Sequence, residues 1–306
     1  MAITTEVIKK LREKVGAGMM DCKKALTECE GDFDKAVDWL RKKGLAAAAK
    51  KSSRVAAEGL IGVVSSADTY AAMVEVNSET DFVAKNQKFQ DFVKGVVEVA
   101  SRDHLEDLSA LLAAPLAGTS IEENLKNLIA VIGENMTLRR VTSCSVSKGV
   151  VSTYVHSAMA PGLGKIGVLV ALESDGPVEK LREFGKKLAM HIAASQPQYL
   201  STAEVPQDVL NHEKEILQEQ IKDSGRPPEV VAKMIDGRIR KFYGEVVLLE
   251  QPYVMDPKKT VTQVLDEFAK ELGQPVVLKG FVKYVLGEGI EKVQADFAEE
   301  VQAMSH

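Results

Sequence analysis

The chain has 306 residues, 45% of them hydrophobic and 27% charged, enough for a sizeable core and more than one domain. Its net charge of -5 and pI near 5.7 give no overall basic field to favour nucleic acid. Three cysteines without a CxxC or Cys/His cluster indicate neither a disulfide framework nor a zinc site and suit a reducing compartment. No apolar run approaches the length that spans a bilayer, and the opening MAITTEVIKKLREK reads as a folded helix start without a signal core. A cytoplasmic protein with no removed targeting segment is therefore expected.

Residues 1–44 read as a compact three-helix unit. Thr4 or Thr5 can cap a helix with Val7, Ile8, Leu11 and Val15 on one face, ended by Gly16-Ala17-Gly18. A second helix starts near Met20-Asp21 and runs through Ala25 and Leu26 to Cys29. The third carries Phe33, Ala36, Val37 and Leu40, with Gly44 as its stop. Such a unit has a thin core and suits a docking module. Residues 45–58, LAAAAKKSSRVAAE, read as a helical or flexible linker.

From Gly59 the pattern turns to strands. Leu60 to Val64 and Tyr70 to Val76 predict a hairpin, with helices following at about 87–101, 105–113 and 120–134. Strands near 137–147, 150–158 and 165–173 are expected to be hairpin-connected, before a helix from about 177 to 194. Gly59 to Val64 (GLIGVV) echoes Gly164 to Leu169 (GKIGVL), and each precedes an amphipathic helix, which suggests a duplicated unit. Residues 204–246 carry two polar-rich helices, with Pro227 or Pro228 suited to the first turn of the second. A loop with Pro252 and Pro257 leads to a helix at 260–272, and the pair around this loop is expected to form an antiparallel helical hairpin. A strand from Val276 to Val285 and a helix from Ile290 to Met304 end the chain. Antiparallel strands with flanking helices predict an α+β fold.

No catalytic, metal or cofactor site emerges. Ala160 to Lys165 (APGLGK) lacks the first glycine of a phosphate-binding loop, and Ile166 stands where a hydroxyl should hold magnesium, so a hairpin turn is expected. The five histidines show no metal spacing, and His191 reads as a packed or half-exposed helix residue.

Two stretches ask for more. Met19-Met20 follows the glycine turn, and consecutive helix residues point about 100° apart, so a tiny unit can hardly bury both. Met fills irregular core gaps, but one exposed here suits a docking surface. The second stretch is NSETDFVAKN, Asn77 to Asn86, between a strand and a helix. Asp81 can cap the helix, and Phe82 can fold back into the core. Alternatively, Phe82 is an exposed wedge for a partner's pocket.

These two stretches resemble the signatures of one family. Leu11 to Leu26 (LREKVGAGMMDCKKAL) and Glu75 to Lys85 (EVNSETDFVAK) are similar to the two motifs of elongation factor Ts. The similarity continues through Ala189 to Ser195 (AMHIAAS) and Gly287 to Val293 (GEGIEKV). Val15 departs from the threonine usual in the family, which weakens a hydroxyl role at that helix end. The resemblance implies a guanine-nucleotide exchange factor for elongation factor Tu, in its GDP-bound and nucleotide-free states, acting by binding and not by covalent chemistry. It implies no cofactor, no direct nucleic-acid or membrane partner, and admits a homodimer within a heterotetramer. It divides the chain into a ubiquitin-associated-like module (1–45), a linker (46–58), two related core subdomains (59–147; 148–228 with 273–286), an inserted coiled-coil hairpin (229–272) and a C-terminal helical module (287–306).

By the same resemblance, Thr80, Asp81, Phe82 and Val83 enter the GTPase near its Mg²⁺ site. Arg12, Met19, Met20 and Lys23 dock the N-terminal module, and Gly167 and His191 lie at a contact of the second subdomain. A rival expectation is a ubiquitin-associated-like binding module on a scaffold, without exchange activity. It accounts for the methionines and leaves the Thr-Asp-Phe-Val loop without a purpose.

Overall fold

The computed structural model describes residues 3–221 and 227–291, which form an α+β structure. Thr4 opens α1 (Thr5–Val15), its hydroxyl accepting the Val7 N–H at 3.3 Å, and Gly16 closes the helix in the left-handed region. α2 (Met19–Glu28) and α3 (Phe33–Lys51) follow, the latter capped by Asp32. Leu11, Cys22, Ala25, Leu26 and Ala36 make a small core of their own. The stop expected at Gly44 is absent. Helix α3 runs through it, so the expected linker is helical as far as Lys51. A Cβ added at Gly44 would lie 2.9 Å from the Ala130 Cβ, so this glycine lets two helices approach instead of ending one.

β1 (Glu58–Ala67) and β2 (Tyr70–Ser78) form the expected hairpin. α4 (Gln87–Arg102), α5 (Leu108–Ala113), the short pair β3 (Pro115–Leu116) and β4 (Thr119–Ser120), and α6 (Ile121–Ile132) come next. β5 (Met136–Ser145) returns to β2. β6 (Gly149–His156), β7 (Leu163–Gly164) and β8 (Ile166–Glu173) follow, then α7 (Val178–Ser195), α8 (Gln207–Ile221) and α9 (Pro228–Val246). The pair β9 (Pro252–Tyr253) and β10 (Asp256–Thr260), α10 (Val261–Leu272) and β11 (Val277–Val285) complete the described chain. One sheet has the order β5-β2-β1-β7 and another β11-β8-β6, each with antiparallel neighbours.

The two sheets pack face to face through Ile61, Val63, Met73, Leu169 and Ala171. Helices α4, α5 and α6 cover the outer face of the first sheet through Phe89, Val93, Leu111 and Leu125. Helices α7 and α10 cover the second through Leu181, Leu188 and Val261, with Phe184 and Phe268 stacked at 4.1 Å. β2 is buried along its whole length because both of its faces are covered, hence the unbroken apolar run from Tyr70 to Val74.

Three expectations change. β5 and β6 are not a hairpin: β5 pairs with β2 and β6 with β8, in different sheets. The helices that pack as a pair are α8 and α9, through Leu210, Phe242 and Val246, while α10 joins the second core. The loop with Pro252 and Pro257 is the β9–β10 turn, so no hairpin stands off at 229–272. The echo between Gly59–Val64 and Gly164–Leu169 is out of phase. Ile61 and Val63 face the other sheet, whereas their partners in the echo, Ile166 and Val168, face the helices. The turn expected at Ala160–Lys165 is present, with Leu163 N–H donating to Ala160 O at 3.0 Å. The helix expected from Ile290 to Met304 lies, beyond Glu291, outside the described residues.

Candidate partner-binding site

The loop after β2 presents an aromatic ring to solvent. Phe82 is 75% exposed, between Asp81, also exposed, and Val83, buried in the first core. The alternative of Phe82 folding back into this chain's core is therefore excluded. A short 3-10 turn, Val83–Lys85, follows, and Lys85 Nζ lies 5.7 Å from the Phe82 ring centroid. Asp81 does not cap α4: Asn86 does, its side chain accepting the Lys88 N–H at 3.0 Å. That leaves the Asp81 carboxylate available to a partner.

Thr80 is held tightly. Its N–H and hydroxyl donate to the two carboxylate oxygens of Glu134 at 3.0 and 2.8 Å. One residue earlier, Glu79 accepts the Asn135 N–H at 2.5 Å and faces Arg54 at 3.5 Å. Neither Glu134 nor Asn135 stood out in the sequence. A surface carboxylate after a helix-ending glycine has no local mark to distinguish it from its many counterparts.

The N-terminal residues are exposed as well. Met19 and Met20 open α2 at 36% and 76% exposure, while Cys22, Ala25 and Leu26 supply its buried face. Arg12 and Lys23 are exposed on the same unit. The unit sits on α6 through α3, with an Arg41–Glu123 ion pair and Lys51 Nζ donating to Gly133 O at 2.5 Å. This docking brings the two motif regions together. A Cβ at Gly16 would lie 3.3 Å from Lys88 Nζ, in the first turn of the helix that follows the Phe82 loop. Val15 is half-buried against the small core and lines a cleft with Val37, Leu40 and Val131, a setting that suits its apolar side chain.

Gly167 and His191, which the resemblance sets near a contact, are both buried in the described chain. Gly167 lies between the sheets, where a Cβ would meet Met73 Sδ at 2.5 Å and Ile61 Cγ2 at 2.7 Å. His191 is fully buried. Its Nε2 donates to Gln251 Oε1 at 3.0 Å, and its Nδ1 accepts the Val254 N–H at 3.2 Å. Burial pushes its pKa below the ordinary value, with the Gln251 bond offsetting only part of that, so the ring is neutral near pH 7. The imidazole ties the 251–254 segment to α7, beneath the exposed Met190, Val254 and Met255. These three are exposed apolar side chains.

A second polar cluster also went unread. Glu75, fully buried in β2, accepts from Arg139 Nη1 (3.1 Å), Arg140 Nε (2.5 Å), Asn77 Nδ2 (3.0 Å) and the Gly287 N–H (2.8 Å). Burial raises its pKa, but the Gly287, Asn77 and Arg140 contacts outweigh that and hold it below the usual carboxylate value. The available signal is a glutamate within the apolar stretch Tyr70 to Val76 and an Arg-Arg pair in another strand. The cluster ties the first sheet to the turn after β11.

Among the described residues, no group of three or more His, Cys, Asp or Glu side chains is placed to hold a metal ion. Among them, no helix is long and apolar enough to cross a membrane.

Comparison with known proteins agrees with the motifs. The family model described as elongation factor TS matches residues 79–288. Elongation factor Ts of Rhodospirillum centenum is 56% identical over 305 residues, covering 99% of both chains. Those of Paramagnetospirillum magneticum (55%, 99% of this chain and 97% of the relative) and Rhodospirillum rubrum (52%, 98% of each) are similarly close.

Proposed function

The chain belongs to the elongation factor Ts family, and on that premise we propose that it promotes guanine-nucleotide exchange on elongation factor Tu during translation elongation. The observation that carries this reading is Phe82. A phenylalanine held in solvent on a braced loop leaves roughly 1.5–3 kcal/mol of burial for a partner to collect. Met20 offers a second apolar anchor, with Arg12 and Lys23 beside it.

On this reading the three-helix unit is a ubiquitin-associated-like docking module on the GTPase domain, and the Thr80–Val83 loop enters beside the partner's Mg²⁺. GDP is held largely through its phosphates and that bridging ion. Phe82 wedged between the adjoining helices shifts them, disturbs the ion's water ligands and unseats the diphosphate without touching the nucleotide. The coupling is reciprocal. The factor weakens nucleotide binding by the same ratio that nucleotide weakens binding of the factor, so incoming GTP releases it and the cycle repeats. The exposed Met190, Val254 and Met255, positioned by His191, make the second contact in place of His191 itself.

The direct test is release of a fluorescent GDP analogue from elongation factor Tu, with this protein at catalytic amounts. Accelerated release over many turnovers is expected. Unaccelerated release from a matched partner would leave a binding module without exchange activity.

A further inference from the structure

We infer that Glu134 is a positioning residue for nucleotide exchange: its carboxylate fixes where Phe82 stands. The inference rests on the wedge reading above and adds to it a residue outside the loop. The β2–β5 ladder ends where Ser78 faces Met136. Continued by one and two steps, that register sets Glu79 opposite Asn135 and Thr80 opposite Glu134. At both steps a side chain replaces the backbone rung. Glu79 takes the Asn135 N–H, and Glu134 takes both donors of Thr80. The 133–135 turn is itself held, since Lys51 Nζ donates to Gly133 O at 2.5 Å.

On the far side of the ring, Val83 is buried at 3% exposure. Only Asp81 and Phe82 lie between this anchor and Thr80. Pinning both ends removes conformational freedom before the partner arrives, so less entropy is lost on insertion. Glu134 touches neither partner nor nucleotide on this account; it acts through Phe82.

The test compares wild type, Phe82→Ala, Glu134→Ala and the double variant in the fluorescent-GDP release assay on elongation factor Tu. Amide hydrogen exchange at Thr80 is measured in the free proteins. Glu134→Ala is expected to slow maximal release about tenfold, the scale on which lost pre-organisation acts, and to speed exchange of the Thr80 amide. The double variant is expected to be no slower than Phe82→Ala alone, because the two substitutions act on one group. Should Glu134→Ala not fold, Thr80→Val removes one of the two donors and is expected to slow release in the same direction. If Phe82→Ala slows release while Glu134→Ala and Thr80→Val do not, this inference falls alone. A double variant slower than Phe82→Ala by the full Glu134 factor also overturns it. Wild-type release by Phe82→Ala overturns the wedge reading, and this inference with it.

Discussion

In the first half of the core, β1, β2, α4 and β5 build a sheet in the order β5-β2-β1. In the second, β6, β8, α7 and β11 follow the same succession and give β11-β8-β6. The connections from the middle strand to the helix differ. After β2, residues 79–86 stand out and expose Phe82. After β8, residues 174–177 close down: Ser174 Oγ donates to Pro275 O at 2.7 Å, and a Cβ at Gly176 would meet Leu272 at 2.3 Å. One topology thus serves twice, and only the longer connection exposes an aromatic ring. On the proposed reading the function sits in the loop, and the paired sheets supply a mount for it.

The sharpest way to break this comparison is Phe82→Ala. Release of GDP from elongation factor Tu should slow by about thirtyfold or more, the scale of an interface anchor, with the melting temperature nearly unchanged because the ring is exposed. A large drop in thermal stability would mean that the first connection, like the second, serves the fold.

The comparison also shows what could be read from the sequence. Helices came from periodicity, the first hairpin from alternating runs around Asp68-Thr69, and Phe82 from an aromatic ring in a polar loop. The repeat is legible in the sequence, but its register is not. The six-residue echo matched β1 to β8, whereas the succession of elements matches β1 to β6 and β2 to β8. Glycines at similar spacing produced the match, yet Gly62 faces Val93 of α4 and Gly167 faces Met73 of the other sheet. Gly44 misled for a related reason: without the facing Ala130 in view, a glycine after a helix reads as its end. Glu134 could not be chosen among the carboxylates until the β2–β5 register placed it across from Thr80. The helix neighbours of His191 suit a packed or half-exposed residue, and it is buried; its place near a partner contact comes from the resemblance alone.

Gly167→Ala tests whether the second half contributes by packing. A methyl group forced against Met73 and Ile61 should cost about 2 kcal/mol of stability. Denaturant midpoints should fall, while the folded protein keeps its affinity for elongation factor Tu. Weaker binding at unchanged stability would return Gly167 to the contact. Met20→Asp does the reverse in the N-terminal unit. Its equilibrium dissociation constant should rise about tenfold, with the far-UV spectrum intact because the side chain is exposed; unchanged binding would exclude Met20 from the interface.

His191 gives a pH test of the second half. Its folded pKa lies below the unfolded value near 6.5. The unfolded chain therefore binds a proton that the folded chain refuses. The stability that His191 contributes is complete above about pH 6.5 and is lost as pH falls from there through the folded pKa. Wild-type stability should decline over that window by a component that His191→Gln lacks. Equal slopes in the two proteins would show that the histidine does not stay neutral in the fold.

The smallest effect is expected at the closed connection itself. Asp175 lies in it, exposed, and pairs with Lys148 at 2.5 Å. An exposed ion pair contributes little to stability, and the 174–177 turn carries no aromatic ring such as the first connection exposes. Asp175→Ala should leave both GDP release and the melting temperature at wild-type values. Slowed release at unchanged stability would place a partner contact on the second connection too, and the division of labour between the halves would have to be redrawn around two active loops.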